Sequence, residues 1–518
     1  MTLGVWRLLR QPYRRGIDSL REQLAHREER FLEIAEKKIF ANPQNPYHEL
    51  FRLAGCGFGD LAESVKRCGL ETTLSRLASE GVCLTHDEFK GNTPLVRGGR
   101  EIPFNPDALL NTARRGEMQS ISSGSRSRGT PTRKSLEYQI YRDGHDHLLT
   151  REFGLDNRAR VLVLPTLPSN IGLLNSIRQA RAGGRIDRWF SVRGELRDSG
   201  HYRVLTNVLV GLGRSMGAPV PWPSWLPAND FLPVARWAAK RKREGQPCAI
   251  RCYVSPAVRV AVAAREAGLD ISGTIFLVGG EALTDAKRAA IEESGCEVYP
   301  SYGITELSGV GHACRQMKTG NSVHLFLDTL AVVSRMRRAP LSEEMVPSLL
   351  FTNLLTFAPR FLINVEMDDS GVLEPATCHC EYSAAGFTTQ IRDIFSYGKL
   401  TGQGITLFGS DVLKILETAL PKRFGGSPGD YQLVEREGER QTELVLRVSP
   451  RTPAASTAEI RDFFLGELRR CYGGTLAARQ WNHSGGFAVT REEPCAIRGG
   501  KILPLHVLGL EARQAHAS

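Results

Sequence analysis

Between residues 157 and 304 the chain switches repeatedly between two periodicities. "ARVLVLPT" and "AIRCYVS" are compact β-rich runs, and the second leads into "PAVRVAVAAREAG", whose pattern is helical. "TIFLVGGEAL" reads as a strand ending in Gly-Gly. "TDAKRAAIEESG" reads as a helix with Thr284 or Asp285 at its N-cap, and "CEVYPSYG" as a further short strand. Strand, helix, strand, helix, strand predicts an α/β domain around a largely parallel sheet. Ligands of such sheets bind beyond the carboxyl ends of the strands. "VGGEAL" and "YPSYGITE" sit at such ends.

The flanking regions read differently. Residues 15–90 are mostly helical, with "LREQLAHREERFLEIAEKKIF" carrying apolar residues at helical spacing. A Gly-rich shift at "SYGKLTGQG" precedes "SDVLKILETAL", an amphipathic helix with Ser410 or Asp411 as its cap. "YQLVERE", "TELVLRVS" and the helical "AEIRDFFLGELRRCYG" then make a small α+β unit. The chain therefore divides into residues 1–397, with a mostly helical lead-in over 1–115, and residues 398–518.

Composition removes several functional classes. No apolar run approaches the length of a membrane span. The start, "MTLGVWRLLRQPYRRG", is basic, but Arg interrupts its apolar stretches too early for a secretory signal, and it reads as a surface helix. The net charge is +11, yet the Arg residues are spread along the chain and no zinc-finger or RNA-recognition signature accompanies them. A polyanionic small molecule accounts for the excess without nucleic acid. Eleven Cys, an odd number in a large chain without a signal peptide, point to free thiols and a reducing, cytoplasmic setting. The sequence leaves the oligomeric state open, a homodimer included.

Two stretches carry chemistry. "SISSGSRSRGTPTRKSLEY", from Ser120 to Tyr138, combines Gly and hydroxyl residues with Arg. Backbone amides of a Gly-rich turn form an anion-binding concavity, and Arg adds charge-assisted hydrogen bonds to phosphate. It is not a Walker loop, because G-x-x-x-x-G-K-[ST] is missing. The second stretch, "SYGITELSG", places Tyr302, Gly303, Thr305 and Glu306 after a strand end. An aromatic can stack on a base, a Thr can bond a phosphate and a Glu can hold Mg²⁺.

"SSGSRSRGTPT", "VGGEAL", "SYGITE" and "GGKILP", in that order, resemble the adenylate-forming (acyl/aryl-CoA ligase) superfamily. Within it the chain looks most like the phenylacetate–coenzyme A ligase branch, which is related to the acyl-protein synthetases of bioluminescent bacteria. The resemblance runs over residues 115–510, and Tyr-Gly-x-Thr-Glu is its most specific element. It implies an α/β fold with a large, multi-subdomain N-terminal adenylation domain and a small mobile α+β lid. It also implies roles for individual residues. Ser122, Ser123, Gly124, Ser125, Gly129 and Thr130 would cradle the ATP phosphates, in a loop two residues longer than usual that contains Arg126 and Arg128. Gly279, Gly280 and Glu281 would line the adenine pocket, and Tyr302 would stack on adenine. Thr305 would touch the α-phosphate and Glu306 would hold Mg²⁺. The ribose-binding Asp is Asp369 or Asp368 in "APRFLINVEMDDSGVL", where the usual Gly is missing and the Arg is displaced. Lys399 takes the place of the hinge Arg, and Lys501 of "PCAIRGGKILP" is the catalytic lysine.

Cys314, His324, Cys378 and Cys380 make a further set, since three Cys and one His are standard ligands of structural zinc. Members of the resembling branch carry a similar set, with the ribose Asp nine residues before the first Cys of the C-x-C pair. That spacing favours Asp369. His379 is set aside, because neighbouring side chains on a strand point apart. His312 and Cys495 read as packing residues.

The expected activity is a two-step ligation. MgATP and a small-molecule carboxylic acid give an acyl-adenylate and pyrophosphate. A thiol, from coenzyme A or the phosphopantetheine of an acyl carrier protein, then releases AMP. The alternatives are transfer to an amine or a protein cysteine, and a binding protein that keeps the fold without the chemistry.

Overall fold

The computed structural model describes residues 17–111, 118–121, 131–134, 136–181, 184–192, 200–227, 229–318, 320–338, 345–396, 401–402, 405–406, 409–437, 442–471, 487–497 and 499–507. The N-terminal surface helix expected over the first residues lies outside this set. Residues 17–90 are mostly helical, as their periodicity requires. Two small hairpins follow: β1 (Leu95–Arg97) with β2 (Arg100–Ile102), and β3 (Met118–Ile121) with β4 (Pro131–Lys134).

A sheet of twelve strands forms the centre, and its two halves differ in direction. β5 (Ala159–Val163), β6 (Arg188–Val192), β7 (Pro223–Leu226), β8 (Cys248–Tyr253), β9 (Ile275–Gly279) and β10 (Glu297–Ile304) are all parallel, in the order β7-β6-β5-β8-β9-β10. From β10 the sheet continues antiparallel. It runs through β11 (Ser308–His312), β12 (Val323–Leu325), β16 (Thr389–Ser396), β15 (Val365–Pro375), β14 (Met345–Asn353) and β13 (Leu330–Arg338). The expectation of a largely parallel sheet thus holds for one half only. Strand–helix alternation stops at β10, and the later strands are joined mostly without crossover helices, so they must pair antiparallel.

Parallel strands are covered on both faces, which is why β5 is buried at every position. On one face Ile250, Cys252, Phe276 and Val278 pack against helices Leu232–Arg243, Val254–Glu266 and Asp285–Glu292. The Val254–Glu266 helix buries almost its whole surface, and each fully buried Val in it contributes roughly 1.5–3 kcal/mol. Thr284 caps the Asp285–Glu292 helix, accepting from the Lys287 amide. The opposite face, with Leu162 and Trp189, meets helix Ile171–Arg181. Helix Asp143–Phe153 packs there against Leu277, Tyr299 and Phe326. The antiparallel half rests on N-terminal helices that include Arg27–Ile34, Pro46–Leu53 and Leu70–Ser79.

A second, smaller sheet lies toward the C-terminus. Two short pairs frame it: β17 (Thr401–Gly402) with β18 (Ile405–Thr406), and β22 (Ala496–Ile497) with β23 (Lys501–Ile502). The sheet itself has the order β21-β20-β19-β24, from β19 (Tyr431–Glu437), β20 (Thr442–Val448), β21 (Phe487–Thr490) and β24 (Leu505–Val507). Helix Thr457–Leu468 covers it through Phe464, Leu465 and Leu468. The helix expected from "SDVLKILETAL" starts at Gly409, so Ser410 and Asp411 lie inside it and neither is its cap. A buried ion pair joins the two sheets' surroundings, with Lys287 Nζ 2.8 Å from Glu417 Oε1. All eleven cysteines are free. Among the described residues no helix is long and apolar enough to cross a membrane.

Gly172 opens the helix that covers Trp189. A Cβ there would lie 2.5 Å from the indole ring and 2.7 Å from the Pro165 carbonyl oxygen. Gly172→Ala is expected to cost about 1–3 kcal/mol through overpacking, read as a lower denaturant midpoint at unchanged m-value.

Candidate functional site

The candidate residues gather where β8, β9 and β10 end, at the carboxyl edge of the parallel half. β9 ends in Gly279, followed by Gly280 and Glu281. β10 carries Tyr302 and Gly303, and Thr305, Glu306 and Leu307 form the turn into β11. β10 is also the strand at which the sheet changes from parallel to antiparallel, so residues at its end face elements of both halves.

Tyr302 links those halves. Its hydroxyl donates to Asp369 Oδ2 at 2.7 Å, across from β10 to β15. Burial first, and then the Asp369 carboxylate, push the Tyr302 hydroxyl well above its usual range, which keeps it protonated as the donor. Asp368 faces elsewhere, with its carboxylate 3.1 Å from His86 Nδ1 and its backbone in the left-handed region at φ 59°. Of the two adjacent acids, Asp369 is therefore the one beside Tyr302. Glu306 is ion-paired, its Oε1 lying 2.6 Å from Lys90 Nζ.

Lys501 arrives from the C-terminal part on the β22–β23 pair, in which Ile497 faces Lys501. Its Nζ stands over the Tyr253 ring, 4.3 Å from the centroid. The preceding glycines are required by this approach. A Cβ at Gly499 would lie 2.5 Å from the Tyr253 ring, and Gly499 has φ +84°. On the facing side, a Cβ at Gly280 would lie 3.0 Å from Lys501 Nζ. Each missing side chain makes room for lysine and ring to meet. A hydrogen-bond chain fixes the docking. The Ile502 amide donates to Ser255 Oγ at 3.2 Å, Ser255 Oγ donates to Glu281 Oε1 at 2.6 Å, and the Ser255 amide donates to Glu281 Oε2 at 2.9 Å. Glu281 thus holds the post to which the lysine hairpin is tied.

The structure brings Gly279, Gly280, Glu281 and Lys501 together at one place and joins Tyr302 to Asp369. Ser122, Ser123, Gly124, Ser125, Gly129, Thr130 and Lys399 lie outside the described residues, although Ile121 and Pro131, on either side of the Gly-rich loop, pair with each other. Three participants were not singled out from sequence. Tyr253 and Ser255 follow the strand "AIRCYV", and the strand-end rule that marked "VGGEAL" could have marked them too. Lys90 carries no signal, because it meets Glu306 from 216 positions away.

A second cluster lies behind β11. The ligand atoms of Cys314, His324, Cys378 and Cys380 all fall within 4.8 Å of one another. His324 Nε2 is 3.1 Å from Cys378 Sγ and 3.2 Å from Cys380 Sγ, and the two sulfurs are 3.7 Å apart. His324 Nδ1 lies 2.9 Å from the Phe387 carbonyl oxygen, to which it must donate, leaving the Nε2 lone pair aimed at the thiols. The Cys314 thiol and then His324 push Cys380 down to about 3, burial opposing, while the bond to Cys380 pushes Cys314 up. Three cysteine sulfurs and an imidazole nitrogen form a donor set for a metal cation. His379 is tied through its backbone to Gln316, in line with its exclusion as a ligand. His312 is buried, with Nδ1 3.2 Å from the Tyr382 hydroxyl.

No family model matches the chain, and no curated protein matches it in sequence. Its architecture does have counterparts. The structure of 2-hydroxyisobutyryl-CoA ligase in the postadenylation state, in complex with 2-HIB-AMP, aligns over 96% of this chain and 91% of that chain, at TM-score 0.51 and 15% identity. The two chains share a fold. O-Succinylbenzoate coenzyme A synthetase from Bacillus subtilis, with ATP and magnesium ion, aligns over 86% of each chain at TM-score 0.42 and 11% identity. An anthranilate CoA ligase in complex with anthranoyl-AMP aligns over 77% of this chain and 66% of that chain, at TM-score 0.40 and 12% identity.

Removing the Ser255 hydroxyl should loosen the lysine hairpin without unfolding either sheet. In Ser255→Ala the Ile502 amide is expected to exchange with solvent deuterium roughly threefold to tenfold faster, matching the loss of one ordinary hydrogen bond.

Proposed function

We propose that this chain is an AMP-forming ligase that activates a carboxylic acid and passes the acyl group to a thiol, in the manner of the phenylacetate–coenzyme A ligase branch. The observation that carries this reading is Lys501, buried against Tyr253 and Gly280 at the strand ends that also present Tyr302 and Asp369. The fold shared with an acyl-AMP-bound ligase supports it as an analogy.

The residues divide the work between two steps. Asp369 would accept hydrogen bonds from the ribose, and the Tyr302 ring would lie against adenine beside Gly279, Gly280 and Glu281. Thr305 and the loop of Ser122, Ser123, Gly124, Ser125, Gly129 and Thr130 would donate to the phosphates. An oxygen of the acid attacks the α-phosphorus, the bond to the β-phosphate breaks, and pyrophosphate leaves with the electron pair. Lys501 meets the negative charge that gathers on the phosphoryl oxygens. Residues 398–518 then turn as a lid about Lys399, withdrawing Lys501 and admitting the thiol of coenzyme A or a carrier protein. The sulfur attacks the acyl carbon and AMP leaves. The eleven free cysteines suit the cytoplasm.

Two metals fit the donors present. Glu306 would offer Mg²⁺ the oxygen that Lys90 does not engage, a single carboxylate being usual where phosphates complete the shell. Cys314, His324, Cys378 and Cys380 would hold zinc. Tetrahedral Zn–S bonds place sulfurs about 3.8 Å apart, and Cys378 and Cys380 are 3.7 Å apart. Four protein ligands leave no open position, so the role is structural.

Carboxylate-dependent ATP–pyrophosphate exchange, with pools of aryl and aliphatic acids, tests the reading. Exchange is expected with one pool. Lys501→Ala should slow it at least about 100-fold, while AMP release from synthetic acyl-adenylate and thiol stays near wild type. Equal loss of both half-reactions would rule out a role for Lys501 confined to adenylation. ATP binding without exchange would mark a binding protein.

For the metal, Cys378→Ser combined with Cys380→Ser should abolish stoichiometric zinc by elemental analysis and lower Tm by about 5 °C or more. Full occupancy in that variant would refute the site.

A further inference from the structure

Three guanidinium groups converge beneath the candidate site around a single carboxylate. Arg142 stands at the start of helix Asp143–Phe153, Arg178 lies on helix Ile171–Arg181, and Arg251 lies on β8. All three are within electrostatic range of Asp146. Arg142, Arg178 and Asp146 are 8%, 6% and 1% exposed. Asp146 is committed to Arg178, 3.1 Å away. The other buried acids nearby are committed too, Asp143 to Arg181 and Asp328 to His145.

Arg142 and Arg251 are therefore left over. The buried Nε of Arg142 has no hydrogen-bond partner. Among the described residues, neither guanidinium is hydrogen-bonded or ion-paired. Arg251 lies on a central strand and is partly buried. Three cations thus share one carboxylate in a protein interior, so two of them lack a counter-charge of their own and their desolvation is not repaid. Such an arrangement persists where an anion belongs.

Its position says which anion. Arg251 precedes Tyr253 by two residues and projects from the same face of β8, about 7 Å along the strand. Tyr253 is the ring beneath Lys501. Arg142 presses on β11 just beyond the Tyr302–Glu306 segment, where a Gly309 Cβ would lie 3.2 Å from its guanidinium carbon. The pair thus lies on the elements that carry Tyr253 and the Tyr302–Glu306 segment, Arg251 about 7 Å along β8 from Tyr253. We propose that the acid activated at this site is a short dicarboxylic acid: one carboxylate is presented to Lys501, and the other is bound by Arg142 and Arg251. This rests on the ligase reading for the reacting end, but the anion subsite does not. A side chain at position 309 would crowd the Arg142 guanidinium.

The test uses the full chain and pairs of acids matched in length: succinate with butyrate, glutarate with valerate, isophthalate with 3-methylbenzoate. Thermal unfolding is followed with each acid, with and without MgATP. At least one dicarboxylate is expected to raise Tm where its monocarboxylate partner does not, and Arg142→Met and Arg251→Met should each lose that response. Arg142→Met without ligand should raise Tm, because a buried uncompensated charge is gone. In ATP–pyrophosphate exchange the same dicarboxylate should exceed its partner at least about 100-fold, falling to within about threefold in Arg142→Met. If no dicarboxylate stabilises more than its partner, the inference is overturned, even where monocarboxylates support exchange and the ligase reading stands. A lowered Tm of unliganded Arg142→Met with an unchanged dicarboxylate response also overturns it, making Arg142 a structural residue. Arginine-dependent stabilisation without any exchange upholds the subsite and removes the ligase reading.

Discussion

The site depends on a contact between backbone and side chain, the Ile502 amide on Ser255. Lysine has a long, mobile side chain, and a charge that must act at one point needs its backbone fixed. Ser255 does this only because Glu281 occupies both its hydroxyl and its amide, leaving the oxygen lone pair turned toward the hairpin. The same Glu281 follows Gly280, whose missing side chain admits Lys501. Two neighbouring residues of one strand end thus supply both the space and the anchor. The hairpin contributes a cation carried on a separate element of the chain.

The change of direction at β10 matters in a similar way. A wholly parallel sheet presents its strand ends in a single row. In this chain the antiparallel meander brings β15 back beside that row and sets Asp369 against Tyr302, 67 positions away. The Cys–His cluster gathers elements of the same region, since Cys314 follows β11, His324 sits on β12, and Cys378 and Cys380 follow β15. Two loops and one strand thereby bring four side chains to one place.

What the sequence disclosed follows from where information is local. Tyr302, Gly303, Thr305 and Glu306 lie within five residues, and Gly499 and Gly500 precede Lys501 directly, so short strings carried them. The Cys-His set was legible because thiols and imidazole are few and their chemistry is narrow. The strand–helix rhythm gave the parallel half, whose apolar runs are continuous. The antiparallel half was not legible, since its strands mix buried and exposed positions, as β13 does with a buried first half and a partly exposed second. Arg142, Arg178 and Arg251 were invisible as a group. Each sits on a different element, and arginine is spread throughout a chain of net charge +11. Lys90 and Ser255 were missed because their partners are far away in sequence, and only folding makes them neighbours.

The two adjacent acids of β15 show how finely this arrangement is set. Asp368 turns to His86 and Asp369 to Tyr302. Successive residues of a strand face opposite ways, and a left-handed Asp368 together with a break in register between Ser370 and Val372 decides which acid faces which side. The pocket's acid is therefore chosen by parity. Insertion of one residue upstream in β15 would put Asp368 beside Tyr302 and Met367 beside His86, whereas loss of one would leave Tyr302 facing Ser370. A change of two would restore the side but not the depth. The strand can vary freely in composition along its exposed positions, yet its length is part of the recognition code.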